Sequence, residues 1–409
     1  MTDLVATTFP LDEAPDLRQV AGEGGVLFER EGAGLAGRGV AMTLELPGGL
    51  SCRGDRDRAV EALSGIKVED EVGLPGTGAV ALGALPFDGG SPARLTVPTL
   101  IVGRDGEGRA WQTVVAPAGS YRPRPPDPSP RQEAWPPERF RLESVVPHEE
   151  WCARVGRAVA EIRRGRLEKV VLAREVVVHA NRDLIVSDVL GRLRALYPSC
   201  TVFSVGGFVG ASPELLASRR AAEVRSHPLA GTVARSGDPA TDDSLAAALL
   251  ASAKDTAEHR VVVQAVVDAL GQVCAEMDVP PAPSIVSLRN VSHLGTLVKG
   301  RLRPPWPSAL ELAARLHPTP AVAGTPRPAA LDLIAELEGM DRGRYAGPVG
   351  WVDSRGDGDW VVGIRSATIR GRTARLLAGV GIVADSDPRD ELTETQLKLQ
   401  ALLAALVRP

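Results

Sequence analysis

The chain has 409 residues, 44% of them apolar and 24% charged, with 47 Lys and Arg against 51 Asp and Glu. That composition supports a sizeable folded core. The formal net charge of −4 argues against a nucleic-acid or anionic-membrane partner, because neither is drawn to a mildly acidic surface. Cys52, Cys152, Cys200 and Cys274 lack any paired spacing and read as free thiols in a reducing compartment. The N-terminus carries acids early and no continuous apolar stretch, and no run nears the roughly 18 apolar residues that span a bilayer. A cytoplasmic protein is expected, and a monomer, since no conspicuous apolar stripe demands a partner.

In chain order, residues 24–117 form short alternating apolar runs between glycines, the spacing of antiparallel strands, with little helix beyond residues 55–63. A proline-rich connection, residues 120–140, reads as an exposed excursion within one fold, because the strands before it have no helices to cover them. Residues 1–145 are thus a mostly β portion of the same fold, and residues 146–409 its core. After Pro147, Trp151, Val155, Val159 and Ile162 recur at helical spacing up to about Gly165. Residues 167–180 read as a strand, 184–196 as a helix, 201–219 as a glycine-broken strand pair and 222–235 as a strand entering a loop. One long helix is expected over 244–277, a strand holding His293 over 286–302, and two helices around a proline-rich turn over 308–338. Three antiparallel strands are expected over 345–383, with turns at 356–358 and 371. The chain then turns through Asp385, Ser386, Asp387 and Pro388 into a last helix. Strands in sequential hairpins, with helices set apart, indicate an α+β fold with large antiparallel sheets.

Several side chains stand out chemically. On the last helix Glu391, Glu394 and Lys398 fall at spacings of three and four, so they share a face; Asp255 and Glu258 do the same on the earlier helix. If the helices face each other, four carboxylates surround one hard cation through oxygen ligands, as Mg²⁺ requires. The alternative is two solvated faces with local pairs, Lys254 to Glu258 and Glu394 to Lys398. Lys169 lies in an apolar strand and is either an edge lysine in solvent or a buried one fit to act as a base. Glu214, after a glycine-rich strand end, is a candidate acid or an ordinary carboxylate at a helix start. Gly231 and Thr232 form a tight bend that could hold a carboxylate. His293 is a core histidine or a donor, and Arg365, in an apolar strand, calls for an anion that Tyr345 could share. Gly379 and Gly381 leave backbone N–H groups open to close approach by an anionic ligand. No glycine run forms a dinucleotide or P-loop fingerprint.

Together these segments resemble the chorismate-utilising enzymes, the family of isochorismate, salicylate, anthranilate and aminodeoxychorismate synthases. The resemblance rests on KVVLAR (169–174), FVGASPELL (208–216), HPLAGT (227–232), KDTAEH (254–259), the His293 strand, HPTPAVAGTP (317–326), YAGPVGW (345–351), GIRSA (363–367) and AGVGIVADSDP (378–388) with ETQLK (394–398). GALPFD (83–88) extends it toward the N-terminus. It implies one α+β fold with two antiparallel sheets packed face to face and helices outside. It also implies a Mg²⁺ held by Glu258 and Glu394, with Asp255 and Glu391 holding its waters. The ring carboxylate of chorismate would meet the metal and the Gly231–Thr232 bend. The enolpyruvyl carboxylate would meet Arg365, Tyr345, Lys398 and the N–H groups around Gly379 and Gly381.

Within the family, a lysine at position 169 marks members that add water, whereas those that add ammonia carry an amide side chain there. The resemblance therefore implies an isochorismate synthase: Lys169 deprotonates a water aimed at C2, and protonated Glu214 donates to the departing C4 hydroxyl. A salicylate synthase, which goes on to eliminate pyruvate, is the alternative, and a non-catalytic or aminating chorismate-binding subunit a more distant one. No glutaminase partner is expected. Two departures are Ala323, where relatives often carry cysteine, and Leu392, where an aromatic residue often stands.

Overall fold

The computed structural model describes residues 3–119 and 135–407. Most of the proline-rich connection, residues 120–134, lies outside them. Alternating apolar runs dominate the chain and give a 13-stranded and a 9-stranded sheet, with a separate three-stranded sheet that the sequence pattern had not announced. Every strand pairing described is antiparallel except that of Leu4–Leu11 with Lys67–Asp70. Both large sheets mix strands from before and after the proline-rich connection: in the larger one, Val26–Arg30 pairs with Thr201–Val205. In the smaller one, Val80–Ala84 pairs with Pro348–Asp353.

The two large sheets share a core. Phe28, Ile101, Trp111, Phe203 and Phe208 of the larger sheet pack with Val80, Leu82, Val349, Trp351 and Val361 of the smaller. The other face of the larger sheet is covered by helices, where Val176, Val178, Leu376 and Ala378 meet Val189, Leu190, Leu193, Leu402 and Ala405. Trp151, Val155, Val159 and Ile162 all point inward from the His148–Arg163 helix, as their spacing predicts.

Several elements depart from the sequence reading, each for a local reason. The long helix expected over 244–277 is two helices, Pro239–Ala251 and Ala253–Gly271. They are broken at Ser252, whose extended backbone and side chain cap the second. Its last residues leave the helix after Gly271 to form the Cys274–Asp278 strand against Val298–Leu302. The strand expected around His293 is three short strands, and the region 345–383 holds four strands rather than three. A short helix, Leu17–Ala21, precedes the expected one at Arg53–Ser64; Asp16 caps it.

The most consequential difference concerns Arg365. It is not inside a strand but between Gly358–Val362 and Ser366–Arg370, with φ of 52°. The first of these strands belongs to the 9-stranded sheet and the second to the 13-stranded one, so the chain changes sheets at this residue. Glu214 occupies the equivalent crossing between Phe208–Ser212 and Leu215–Arg220, so it precedes a strand, not a helix. Gly231 and Thr232 form no free bend; they sit at a bulge in the Leu229–Ala234 strand, with Gly231 at φ 75°.

Trp151 is 2% exposed, in a buried cluster that also holds Val155, Leu172, Leu333 and Leu337. Truncation of a buried aromatic of this size costs about 3–5 kcal/mol. Trp151→Ala should therefore lower the unfolding free energy by that amount in a denaturant titration.

Candidate active site

One cleft collects all the side chains singled out by the sequence. Its walls include Lys169, Glu214, Gly231, Thr232, Asp255, Glu258, His293, Tyr345, Arg365, Gly379, Gly381, Glu391, Glu394 and Lys398. The sheet crossings help bring them together: Glu214 and Arg365 sit where strands leave one large sheet for the other. The strand Lys169–Ala180 forms one wall and pairs with Thr373–Ile382, so that Val171 lies opposite Gly381 and Ala173 opposite Gly379. The helices Ala253–Gly271 and Pro388–Val407 bring the four acids to the same cleft.

Lys169 is 4% exposed, which removes the solvent-lysine reading. Its Nζ donates to Glu258 Oε1 at 2.6 Å, so Glu258 pairs with the strand lysine and not with its helix neighbour Lys254. Burial pushes the Glu258 carboxyl up, but the Lys169 charge and hydrogen bond outweigh it and hold the group below its ordinary value. The Glu394–Lys398 pair does form, at 2.7 Å, and Lys398 Nζ also donates to the Gly379 carbonyl at 3.0 Å. Asp255 accepts from the Ser252 hydroxyl, and its N–H donates back to Ser252 Oγ at 3.2 Å.

Glu214 is 3% exposed. Burial pushes its carboxyl up to about 8, against the opposing pull of Lys169, the Leu229 N–H and Lys398. The carboxyl is therefore protonated at neutral pH and close enough to Lys169 to feel its charge. Glu391 is pushed up to about 7 by burial, with Glu394 adding to the rise and a hydrogen bond from Ser386 opposing it.

On the opposite wall, burial pushes His293 down to about 3, with Arg365 and Lys398 adding. A guanidinium only donates, so the contact of Arg365 Nη2 with His293 Nε2 at 3.2 Å makes that nitrogen the acceptor. The proton then sits on Nδ1, which faces the Gly231 carbonyl at 3.1 Å and Thr232 Oγ1 at 3.0 Å. Both ring nitrogens are thus engaged by protein, and the histidine orients Arg365. Among the described residues no carboxylate lies within ion-pair distance of Arg365, and burial lowers its pKa. A buried guanidinium without an acid is a ready seat for an anionic ligand. Beside it the Gly379 N–H donates to Tyr345 Oη at 2.7 Å.

A family model described as "Chorismate binding enzyme" matches residues 93–407. The chain belongs to this chorismate-binding enzyme family. A Mycobacterium tuberculosis relative named for MenF is 41% identical over 374 residues, covering 88% of this chain and 94% of its own. Isochorismate synthase DhbC of Bacillus subtilis is 38% identical over 338 residues, 80% of each chain. The solved structure of MenF, the menaquinone-specific isochorismate synthase from Escherichia coli, covers all of this chain and 95% of its own, with a TM-score of 0.82 at 25% identity.

The cleft lining also includes the cationic side chains of Lys254 and Arg342 beside Lys169, Lys398 and Arg365. Lys254 and Arg342 were not singled out as site residues from the sequence. Lys254 reads there as a helix-face partner of Glu258, and Arg342 lies in a turn where no periodicity marks it. Among the described residues no three His, Cys, Asp or Glu side chains converge closely enough to hold a metal ion. Glu258 and Glu394 are instead drawn to lysines, and Asp255 to Ser252.

A Cβ on Gly381 would lie 2.8 Å from Lys169 Cε and 3.0 Å from Glu258 Oε1. These are ends of flexible side chains, so Gly381→Ala should fold with an unchanged melting temperature. It should nevertheless displace the Lys169–Glu258 pair and cut chorismate turnover by roughly 10- to 100-fold, as an ångström-scale misplacement does.

Proposed function

We infer that this chain is an isochorismate synthase, an isomerase that converts chorismate to isochorismate reversibly by adding water at C2 with loss of the C4 hydroxyl. The observation that carries the reading is that Lys169 and a buried Glu214, whose carboxyl burial pushes up to about 8, line one cleft. Water addition needs a group to take a proton and a second to give one, and a carboxyl kept neutral by burial can donate at neutral pH. A lysine at position 169, where aminating relatives carry an amide, favours water as the nucleophile. Lys169 would accept the proton of the attacking water as the free amine, which requires its Nζ to leave Glu258 and give up its own proton first.

Arg365, oriented by His293, would hold the enolpyruvyl carboxylate together with Tyr345, Lys398 and the backbone at Gly379 and Gly381. Gly231 and Thr232 would receive the ring carboxylate. The four acids suit a hard divalent cation by donor type. Glu258 and Glu394 would hold Mg²⁺ directly, with Asp255 and Glu391 holding its waters. Bound there, the ion would neutralise and orient the ring carboxylate.

Incubation of the pure protein with chorismate, with Mg²⁺ or with EDTA, should give isochorismate as the main chromatographic product only with the metal. A dominant salicylate peak would instead identify a salicylate synthase, and absence of turnover a binding protein. Lys169→Gln should abolish water addition while leaving chorismate binding measurable by calorimetry. Since Glu214 acts only when protonated, kcat should fall as pH rises through about 8. Glu214→Gln should remove that limb along with about 10²- to 10⁴-fold of the rate. Unchanged alkaline behaviour in the variant would take the acid role away from Glu214.

A further inference from the structure

Between its two pairings along one edge, the Lys169 strand has no partner strand. Lys169 and Val170 pair with Thr325 and Gly324, and residues from Val176 onward pair with Phe140–Ser144. The Val171 N–H still donates to the Ala323 carbonyl at 2.8 Å, but the Val171 carbonyl and the Ala173 N–H are taken by side chains. Arg342 Nη2 donates to the Val171 carbonyl at 2.7 Å, and the Ala173 N–H donates to Glu338 Oε1 at 2.7 Å. Arg342 and Glu338 are joined by two hydrogen bonds, from Nε at 2.9 Å and Nη2 at 2.5 Å, with side chains 3% and 2% exposed. One planar ion pair thus stands in for a missing stretch of ladder two residues from the proposed base.

The same guanidinium reaches one more wall of the cleft. Its Nη1 donates to the Val322 carbonyl at 2.9 Å, and Ala321 and Val322 line the cleft. Independently of the side chain, the Arg342 backbone carbonyl accepts the N–H of Tyr345 at 3.0 Å. Phe87 lies over the guanidinium at 4.3 Å and stacks edge-on against His317, whose Nε2 is 2.8 Å from the Phe87 carbonyl. A buried pair is often no more stabilising than well-packed apolar side chains of similar volume, so stability alone is a weak reason for one here. What an apolar pair cannot do is hold three backbone groups in a common register.

We propose that Arg342 and Glu338 are positioning residues for the reaction inferred above, fixing the Lys169 strand and the 317–324 loop so that Lys169 faces Glu214 across the bound ring. The pair acts through Lys169 and touches no reacting atom. The substrate-carboxylate contacts lie chiefly on other elements, so loss of the pair falls on kcat and leaves KM nearly unchanged.

The experiment compares wild type, Arg342→Lys and the apolar double variant Glu338→Leu with Arg342→Met, measuring kcat, KM for chorismate and melting temperature. Arg342→Lys keeps the charge and loses the planar fork; the double variant leaves no lone buried charge. The proposal expects both to lose roughly 10- to 100-fold in kcat with KM within about threefold, the scale of an ångström-level misplacement, although the double variant melts near wild type. It is overturned if the double variant keeps wild-type kcat, if kcat falls only in proportion to the folded fraction, or if KM rises as much as kcat falls. Failure of both variants to fold would also overturn it, by making the pair a folding determinant. Wild type that does not convert chorismate would defeat the functional reading itself, an outcome separate from any of these.

Discussion

The 2.6 Å ion pair between Lys169 and Glu258 joins the two halves of the site, a sheet strand and a helix packed across the cleft. Neither partner belongs in an apolar interior alone, because an unpaired buried charge costs far more than a buried pair. Placing them together lets the cleft be deep and charged at once. The same balance recurs at Glu394 with Lys398, whereas Arg365 and Glu214 are left without a counter-charge in contact. Burial suits these two to the anion-binding and proton-donating roles proposed for them.

The cleft owes its location to strands that leave one sheet for the other. A residue inside a paired strand has its backbone committed and its side chain directed to one face. At a crossing the backbone is released from the ladder, and the side chain is aimed into the gap between sheets. Arg365 accepts a left-handed backbone, at φ 52°, to make that turn. Gly231 accomplishes something similar at a bulge, turning its carbonyl toward His293 and so setting the histidine tautomer that receives Arg365.

Much of the fold was legible in periodicity. The inward face of the His148–Arg163 helix, the strand character of residues 167–180 and the two helices around the proline-rich turn follow from local apolar spacing. The break at Ser252 was less visible, because a capping serine between two helix-forming stretches differs little from one inside a helix. Arg365 was misread as a strand residue because apolar runs flank it, and only pairing reveals that the runs belong to different sheets. Helix spacing offered Lys254 as a partner for Glu258, but Glu258 pairs instead with Lys169, 89 positions from it in the chain.

The sequence by itself determined which chemical groups this protein has and how they lie along each element: two acids on one helix face, two acids and a lysine on another, a lysine beginning an apolar strand. Such information is local, since side-chain direction within a helix or strand follows from backbone geometry. Only the tertiary structure decided which groups meet and in what protonation state. Partner choice across the cleft depends on sheet order, and the rise of Glu214 to about 8 depends on the burial created when both sheets close over it.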